Sequence, residues 1–267
     1  MAVIGVGDIE LSYERAGAGP PLLLIMGMSG TALSWGEPFL EELRRDFDVI
    51  AYDHRGVGAS SRLEGPLTIR QMAADAAGLL AALELDSSHI LGISMGGMIA
   101  QELALARPTL IRTLALGCTY CGGPGSVHID PQVLLPVMEA REAGDRELAL
   151  RRSWEINVSP AFAADEDAWA RFVAIAMRRS VAVEVIAEQA RAIIAHDTSG
   201  RLGGIGEPTL VIHGTVDQLL PVANGEMIAE LIPGAHLELF DGVGHLFFWE
   251  RPERAAELLR AHATVQA

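Results

Sequence analysis

The sequence predicts an α/β protein with a mostly parallel sheet that carries helices on both faces. Two observations support this fold class. Short apolar runs of strand length, such as residues 21–25, alternate with segments whose apolar residues recur at helical spacing. This alternation is interrupted once, between residues 122 and 205, where only helical patterns occur. We therefore expect a core made of residues 1–121 and 206–267 and an inserted helical module made of residues 122–205.

Local patterns predict the elements before the insertion. The chain is expected to open with a hairpin, because Gly7 and Asp8 form a turn between two short strand-like runs. Thr68 and Gln71 have the spacing of a capping box, which predicts that a helix begins at residue 69. The expected strands cover residues 2–6, 9–15, 21–25, 47–52, a run ending at Gly92, and 111–117, and further helices are expected over 36–45 and from Met95 to Arg107.

Glycine-rich segments at residues 122–125 and 203–206 bound the insertion and predict flexible hinges. Between them we expect helices over residues 131–143, 145–156, 165–179 and 181–195. The sheet pattern then resumes, with strands expected over 208–213 and 235–240 and helices over 222–231 and 247–262.

The segment Gly92-Ile93-Ser94-Met95-Gly96 lies where a strand pattern ends and a helical pattern begins. A sharp turn at this point holds the serine in a strained conformation, and side chains at the two glycine positions would collide with neighbouring backbone. The turn also places the serine hydroxyl above the sheet, at the positive end of the following helix. The G-x-S-x-G spacing in this context favours Ser94 as a nucleophile over a bystander serine in a glycine-rich turn.

A serine hydroxyl needs a base to take its proton, and the base needs a carboxylate that fixes its tautomer. Such groups gather at the carboxyl ends of parallel strands. His245 follows the last predicted strand and is the best-placed base. Asp217 follows the preceding strand and is the preferred acid, with Asp241 as the competitor.

Composition and charge limit the partners. The formal net charge of −15 argues against nucleic acids and anionic membranes. No apolar run reaches the roughly 18 residues of a membrane span, and no signal peptide is visible, so we expect a cytoplasmic protein. Cys118 and Cys121 are interpreted as free thiols, because only His128 lies nearby as a further zinc ligand. We expect no metal and no cofactor; the oligomeric state is open, and a homodimer is one option.

Three features together resemble the α/β-hydrolase fold family. They are the turn Gly92–Gly96 around Ser94, called the elbow below, the chain order Ser94, Asp217, His245, and the glycine-rich turn over residues 53–60. The resemblance covers residues 9–121 and 206–267, and it implies that the insertion is a helical cap over the active site. It also implies an oxyanion hole made of the backbone N–H groups of Met28 and Met95. Many relatives have His-Gly before the first donor, where this chain has Met26-Gly27, so the donor is kept and a loop-bracing imidazole is missing.

A serine at the elbow implies acyl transfer, because epoxide hydrolases and haloalkane dehalogenases of this fold carry Asp there. The resemblance therefore implies a serine esterase or lactonase that cleaves a small to medium, moderately apolar ester or lactone through an acyl-enzyme on Ser94. Thioesterase, enol-lactonase, carbon–carbon bond hydrolase and perhydrolase activities remain alternatives. A non-enzymatic alternative is a small-ligand receptor of the same fold.

Several side chains are candidates for the substrate pocket, although apolar cap residues more often pack the cap onto the core. The candidates for apolar contact are Met26, Trp35, Trp169 and Phe172. Four arginines, Arg151, Arg152, Arg178 and Arg179, could bind a substrate carboxylate. Their simpler interpretation is pairing with acids one helical turn away, as Glu147 would pair with Arg151.

Overall fold

The computed structural model describes residues 1–178 and 181–266 and contains an eight-stranded sheet. The strands lie in the order β1-β2-β4-β3-β5-β6-β7-β8; β1 and β2 pair antiparallel, and the strands from β3 to β8 are mutually parallel. The predicted α/β class with a mostly parallel sheet is confirmed. The strands are β1 (Ala2–Val6), β2 (Ile9–Gly17), β3 (Pro21–Ile25), β4 (Asp48–Tyr52), β5 (Ser88–Ile93), β6 (Ile111–Gly117), β7 (Thr209–Gly214) and β8 (His236–Phe240).

Helices cover both faces of the sheet, because alternate residues of each central strand point to opposite sides. Leu23 and Ile25 of β3 belong to one buried cluster, and Leu22 and Leu24 belong to the other. Outside the insertion the helices are α1 (Glu37–Arg44), α2 (Ile69–Ala82), α3 (Met95–Ala106), α9 (Ala223–Leu231), α10 (Phe247–Glu250) and α11 (Pro252–Ala263). Residues of α2, α3 and α9 pack into the first cluster, and residues of α1, α10 and α11 pack into the second.

The C-terminal helix expected over residues 247–262 is two helices, α10 and α11. The break lies at Arg251, whose backbone has φ −141° and ψ 58°, and Pro252 is the first residue of α11. A proline lacks the backbone N–H of a continuous helix and disfavours helical geometry in the residue before it. The prediction of one helix was therefore wrong, because the Arg251-Pro252 pair breaks the helix.

The chain between β6 and β7 is helical: within the described residues it forms no strand. Its helices are α4 (Pro131–Glu142), α5 (Arg146–Asn157), α6 (Pro160–Ala163), α7 (Glu166–Arg178) and α8 (Val183–Ile194). The short helix α6 was not expected from the sequence, and residues 179 and 180, which the predicted helices reached, lie outside the described residues. The division into a core and a cap stays a prediction. None of the described helices is long and apolar enough to cross a bilayer.

Candidate active site

Ser94 lies in a strained turn between β5 and α3. Its backbone has φ 56° and ψ −123°, a conformation that non-glycine residues rarely adopt. A Cβ atom on Gly92 would lie 2.2 Å from the carbonyl oxygen of Gly96, and a Cβ atom on Gly96 would lie 1.9 Å from that of Ile25. Both glycines are therefore required for the close approach of α3 to the sheet, as the sequence pattern predicted.

Two hydrogen bonds from the end of β6 hold this turn in place. The Ser94 N–H donates to the carbonyl oxygen of Gly117 at 3.0 Å. The hydroxyl of Thr119 donates to the Ser94 carbonyl oxygen at 2.7 Å. Within the part of the chain that the structure describes, the Ser94 side chain makes no cap hydrogen bond to α3, and it lies at the N-terminus of that helix, where the dipole favours negative charge.

His245 and Asp217 form a buried pair. His245 Nδ1 lies 2.7 Å from Asp217 Oδ2, and both side chains are buried. The N–H groups of Leu219 and Leu220 donate to Asp217 Oδ1 at 2.8 and 3.0 Å. Because the carboxylate only accepts, His245 carries its proton on Nδ1 and its Nε2 is free to act as a base.

A second imidazole also faces Asp217. His213 Nε2 lies 3.4 Å from Asp217 Oδ2 and 2.7 Å from the Leu220 carbonyl oxygen. Burial alone would raise the pKa of Asp217, but the charges and hydrogen bonds of His245 and His213 outweigh it and hold that pKa below its ordinary value. Asp217 is therefore ionised at neutral pH. The sequence analysis did not single out His213.

Asp241 is directed elsewhere. Its Oδ1 accepts a 3.3 Å hydrogen bond from the hydroxyl of Thr215, at an exposed position. Of the two acids considered from the sequence, the structure thus brings Asp217 to His245 and leaves Asp241 at an exposed position.

Ser94 and His245 are both linked to the end of β6. Ser94 binds Gly117 through its backbone, and the Cys118 sulfur lies within 4.8 Å of ligand atoms of both Asp217 and His245. In the described residues the Ser94 hydroxyl makes no direct hydrogen bond to His245. Catalytic hydrogen bonds of this type are often long before substrate binds and tighten in the complex.

Cys118, Asp217 and His245 are also the only group in the described chain whose side chains could share a metal ion. Burial, and then the charge of Asp217, raise the pKa of the Cys118 thiol well above its usual value. A protonated thiol is a poor metal ligand, because metals bind the thiolate. Cys118 and Cys121 are both free and buried, in agreement with their interpretation as thiols.

The loop after β3 lies against Ser94. A Cβ atom on Gly27 would be 3.1 Å from Ser94 Cβ and 3.6 Å from Ser94 Oγ. Across the residues described, the N–H groups of Met28 and Met95 donate to no protein acceptor. Both N–H groups are thus available to a ligand oxygen near Ser94.

An imidazole from another loop braces this segment. His54, in the turn after β4, places Nε2 2.8 Å from the carbonyl oxygen of Met26. His54 is fully buried, and burial lowers its pKa, so the ring is neutral and donates its Nε2 proton to the carbonyl. This replacement for the missing His-Gly imidazole was not predictable from the sequence, because the two residues are adjacent only in the folded sheet.

The four apolar pocket candidates lie mainly in packed positions. Trp35 has no exposed surface and packs against Phe248 with ring centroids 4.8 Å apart, so the structure gives it a packing role in the core; its predicted contact with substrate stays a prediction. Met26 is also buried, 4% exposed, and only its carbonyl oxygen is engaged in the loop contact described above. Trp169 and Phe172 stack on each other, with centroids 6.0 Å apart.

Trp169 and Phe172 belong to an aromatic cluster that joins the insertion to the rest of the chain. Phe172 packs on Trp154 of α5, and Trp154 packs edge-on against Trp249 of α10. Trp169 also lines a groove of about 620 Å³ between α5 and α7, and Ser94 is not among the lining residues. The structure therefore gives these two rings a packing role; their predicted contact with substrate stays a prediction.

Arginines of the insertion engage acids of the same segment. Arg151 lies 2.9 Å from Glu166 and 3.6 Å from Glu155, and it stacks over the Trp169 ring. Arg152 also pairs with Glu155. The expected partner of Arg151, Glu147, is replaced by Glu155 and Glu166, because α7 packs beside α5. Arg178 is exposed, and Arg179 lies outside the described residues.

Glu250 connects the insertion to the loop that carries His245. Its Oε1 accepts from the N–H groups of Ser159 and Gly244, both at 2.8 Å. Its Oε2 accepts from the Ser159 hydroxyl at 2.5 Å. Glu250 is 6% exposed, so these bonds are formed away from water. The sequence offered no signal for this role, because Ser159 is distant along the chain.

Comparisons with known proteins identify the family of this chain. A family model described as alpha/beta hydrolase fold matches residues 20–252. RutD of Azorhizobium caulinodans, proposed to be a carbamate hydrolase, is 33% identical over 255 residues, which cover 95% of this chain and 94% of that protein. The crystal structure of a hydrolase from Pseudomonas aeruginosa PA01 matches with a TM-score of 0.83 and 31% identity, over 98% of this chain and 97% of that one.

The enol-lactonase of Burkholderia xenovorans LB400 matches with a TM-score of 0.84 and 26% identity, over 98% of this chain and all of that one (100%). The family match spans most of the sequence and includes the elbow at Ser94 and the helical insertion. The chain therefore belongs to the alpha/beta hydrolase fold family and is a hydrolase of this fold.

Proposed function

We propose that this protein is a serine esterase or lactonase that cleaves small to medium, moderately apolar substrates through an acyl-enzyme on Ser94. One observation carries the proposal: the end of β6 contacts both a serine in a strained turn at a helix N-terminus and, through Cys118, an imidazole whose Nδ1 is 2.7 Å from a buried carboxylate. A serine nucleophile, a base and a tautomer-fixing acid are the three groups that acyl transfer requires.

In the proposed reaction, His245 Nε2 takes the proton of the Ser94 hydroxyl as Ser94 Oγ attacks the substrate carbonyl carbon. Asp217 holds the Nδ1 proton and stabilises the imidazolium that forms. The N–H groups of Met28 and Met95 bind the developing oxyanion, and the dipole of α3 favours the same charge. His245 then protonates the leaving alcohol oxygen. In the second half of the reaction His245 takes a proton from water as the water attacks the acyl-enzyme carbonyl carbon, and it returns the proton to Ser94 Oγ.

The preference for neutral substrates is supported by the engagement of the cap arginines. Arg151 is paired with two glutamates and stacked on Trp169, and Arg152 is paired with Glu155, so neither offers a free positive charge to a carboxylate. The similarity to an enol-lactonase keeps a lactone within the proposed substrate class. A carboxylate-bearing enol-lactone is the second candidate, and Arg178 is the exposed cation that would serve it.

A panel of chromogenic esters of increasing acyl length, run beside an enol-lactone, tests the proposal. We expect kcat/KM to rise with acyl length, since each buried methylene contributes roughly 0.8 kcal/mol, until the pocket is filled. Ser94→Ala is expected to lose on the order of 10⁴–10⁶ in kcat while it stays folded. A protein that stops after about one equivalent of ester would be a receptor, and a tenfold preference for the carboxylate form of a matched ester pair would favour the enol-lactonase alternative.

A further inference from the structure

Gln189 on α8 has an unusual environment for a polar side chain of the insertion. It has no exposed surface, and its Oε1 accepts the N–H of Ser29 at 2.8 Å. Only the amide oxygen can accept this proton, so the contact fixes which end of the amide is the NH₂ group. That group, Nε2, is buried and finds no acceptor among residues 1–178 and 181–266. An unpaired buried donor is costly, so its presence in a folded protein needs an explanation, and a missing ligand or water is one.

The path of α8 places Gln189 close to Ser94. Three successive turns of the helix contact the loops after three different strands: Val185 contacts Gly56 after β4, Gln189 contacts Ser29 after β3, and the Ile193 carbonyl oxygen accepts the Tyr120 hydroxyl after β6. In the sheet β5 lies between β3 and β6. The turn of α8 between residues 189 and 193 therefore passes over the carboxyl end of β5, where Ser94 follows.

Distances along the loop after β3 agree with this position. The Cβ position of Gly27 is 3.1 Å from Ser94 Cβ. Ser29 is two residues further on, so its N–H lies within roughly 10 Å of Ser94 by the dimensions of the chain. A substrate whose carbonyl carbon is at Ser94 Oγ would have to extend over a distance of this order to contact the Gln189 amide.

We propose that Gln189 is a substrate-binding residue whose Nε2 donates a hydrogen bond to a neutral oxygen of the substrate beyond the scissile ester, such as an ether, ketone or ring oxygen. This inference rests on the proposed hydrolase function. A neutral amide donor suits a neutral acceptor, because it does not compensate the desolvation of a carboxylate. A site built around such a donor discriminates against analogues that lack the acceptor.

Pairs of esters that differ by one CH₂-to-oxygen exchange test the proposal. On the acyl side, p-nitrophenyl methoxyacetate is compared with p-nitrophenyl butyrate; on the alcohol side, 2-methoxyethyl acetate is compared with butyl acetate. The ratio of kcat/KM for ether over alkyl in each variant is divided by the wild-type ratio, which cancels the different intrinsic reactivity of the esters. We expect Gln189→Met to lower the ratio by about tenfold in at least one pair.

Two further variants separate substrate binding by Gln189 from a role that only braces the Ser29 loop. Gln189→Glu keeps an oxygen for the Ser29 N–H and removes the NH₂ donor, so it should lose the ether preference as Gln189→Met does. Gln132→Met changes an exposed glutamine of α4 and should leave both ratios unchanged. If Gln189 only braced the Ser29 loop, Gln189→Glu would keep the wild-type ratio, and that result would overturn the proposal.

Ratios within twofold of wild type in both ester pairs for Gln189→Met and Gln189→Glu would also overturn it. Labelling of Ser94 by a fluorophosphonate is measured in parallel on each variant. Retained labelling with an unchanged ratio refutes the role of Gln189 alone, whereas absence of labelling and turnover in the wild type refutes the proposed hydrolase function. If Gln189→Met does not fold, Gln189→Glu decides the question, because it retains the Ser29 contact.

Discussion

Among the buried acids outside the Ser94–Asp217–His245 group, Glu250 is the one whose replacement we expect to lower the free energy of unfolding most. Glu250→Ala leaves the N–H groups of Ser159 and Gly244 without an acceptor, at a cost of about 1–3 kcal/mol each, and it also removes the bond to the Ser159 hydroxyl. Relief of the buried charge offsets part of this loss. We therefore expect Glu250→Ala to lower the free energy of unfolding by about 3–5 kcal/mol.

Glu250→Gln should behave differently, because of how the three bonds are divided. Both backbone N–H groups donate to Oε1, which a glutamine retains, and only the Ser159 hydroxyl donates to Oε2. The hydroxyl can rotate and accept from the new NH₂ group, so we expect a loss of about 1–2 kcal/mol, from the weaker neutral bonds. Glu253, exposed in the first turn of α11, is the matched control, and Glu253→Ala should stay within about 0.5 kcal/mol of wild type.

Urea unfolding followed by tryptophan fluorescence measures these differences. With a slope of about 3 kcal/mol per molar urea, the expected loss in Glu250→Ala corresponds to a midpoint shift of about 1–1.7 M. The loop that carries His245 is anchored at Gly244, so kcat of Glu250→Ala should fall as well. A Glu250→Ala variant within 1 kcal/mol of wild type, or one no less stable than Glu250→Gln, would refute the reasoning.

The remaining predictions concern the groups around Ser94. Asp217→Asn should lower kcat by about 10²–10⁴, because His245 loses its fixed tautomer, whereas Asp241→Asn should cost much less; the opposite ranking in folded, purified variants would transfer the role to Asp241. The folded pKa of Asp217 lies below its unfolded value, so the stabilisation that its charge provides is complete above about pH 4 and is lost as the pH falls. The unfolding free energy of Asp217→Asn should therefore decline less steeply below about pH 4 than that of the wild type. Urea titrations at several pH values measure this difference. Met28→Leu should keep most activity, while an amide-to-ester change that deletes the Met28 N–H should cost about 2.7–4 kcal/mol of transition-state stabilisation; an unchanged kcat in that backbone variant would exclude this donor.

The sequence predicted those parts of the fold that local patterns determine. The buried strands are continuous apolar runs, and the turn at Ser94 needs glycines at fixed positions because Gly96 lies against the backbone of Ile25. The proximity of Asp217 to His245 also followed from the chain order, because the carboxyl ends of neighbouring parallel strands meet at one edge of the sheet. These features depend on short segments and on the order of strands.

Features that depend on distant segments were not predictable. His54 replaces the missing loop imidazole only because β4 lies beside β3 in the sheet. Glu250 reaches Ser159 across the joint between insertion and core, and Gln189 reaches Ser29 from α8. The packing of Trp35 was not predictable for a related reason: its ring contacts Phe248, which approaches from α10.

Covalent labelling tests the central claim most directly. A fluorophosphonate reacts with an activated serine, and digestion followed by mass spectrometry identifies the modified residue. The proposed mechanism predicts one adduct, on Ser94, formed in step with the loss of ester turnover and absent from a folded Ser94→Ala variant. An adduct on another residue, or a Ser94→Ala variant that retains near-normal turnover, would contradict it.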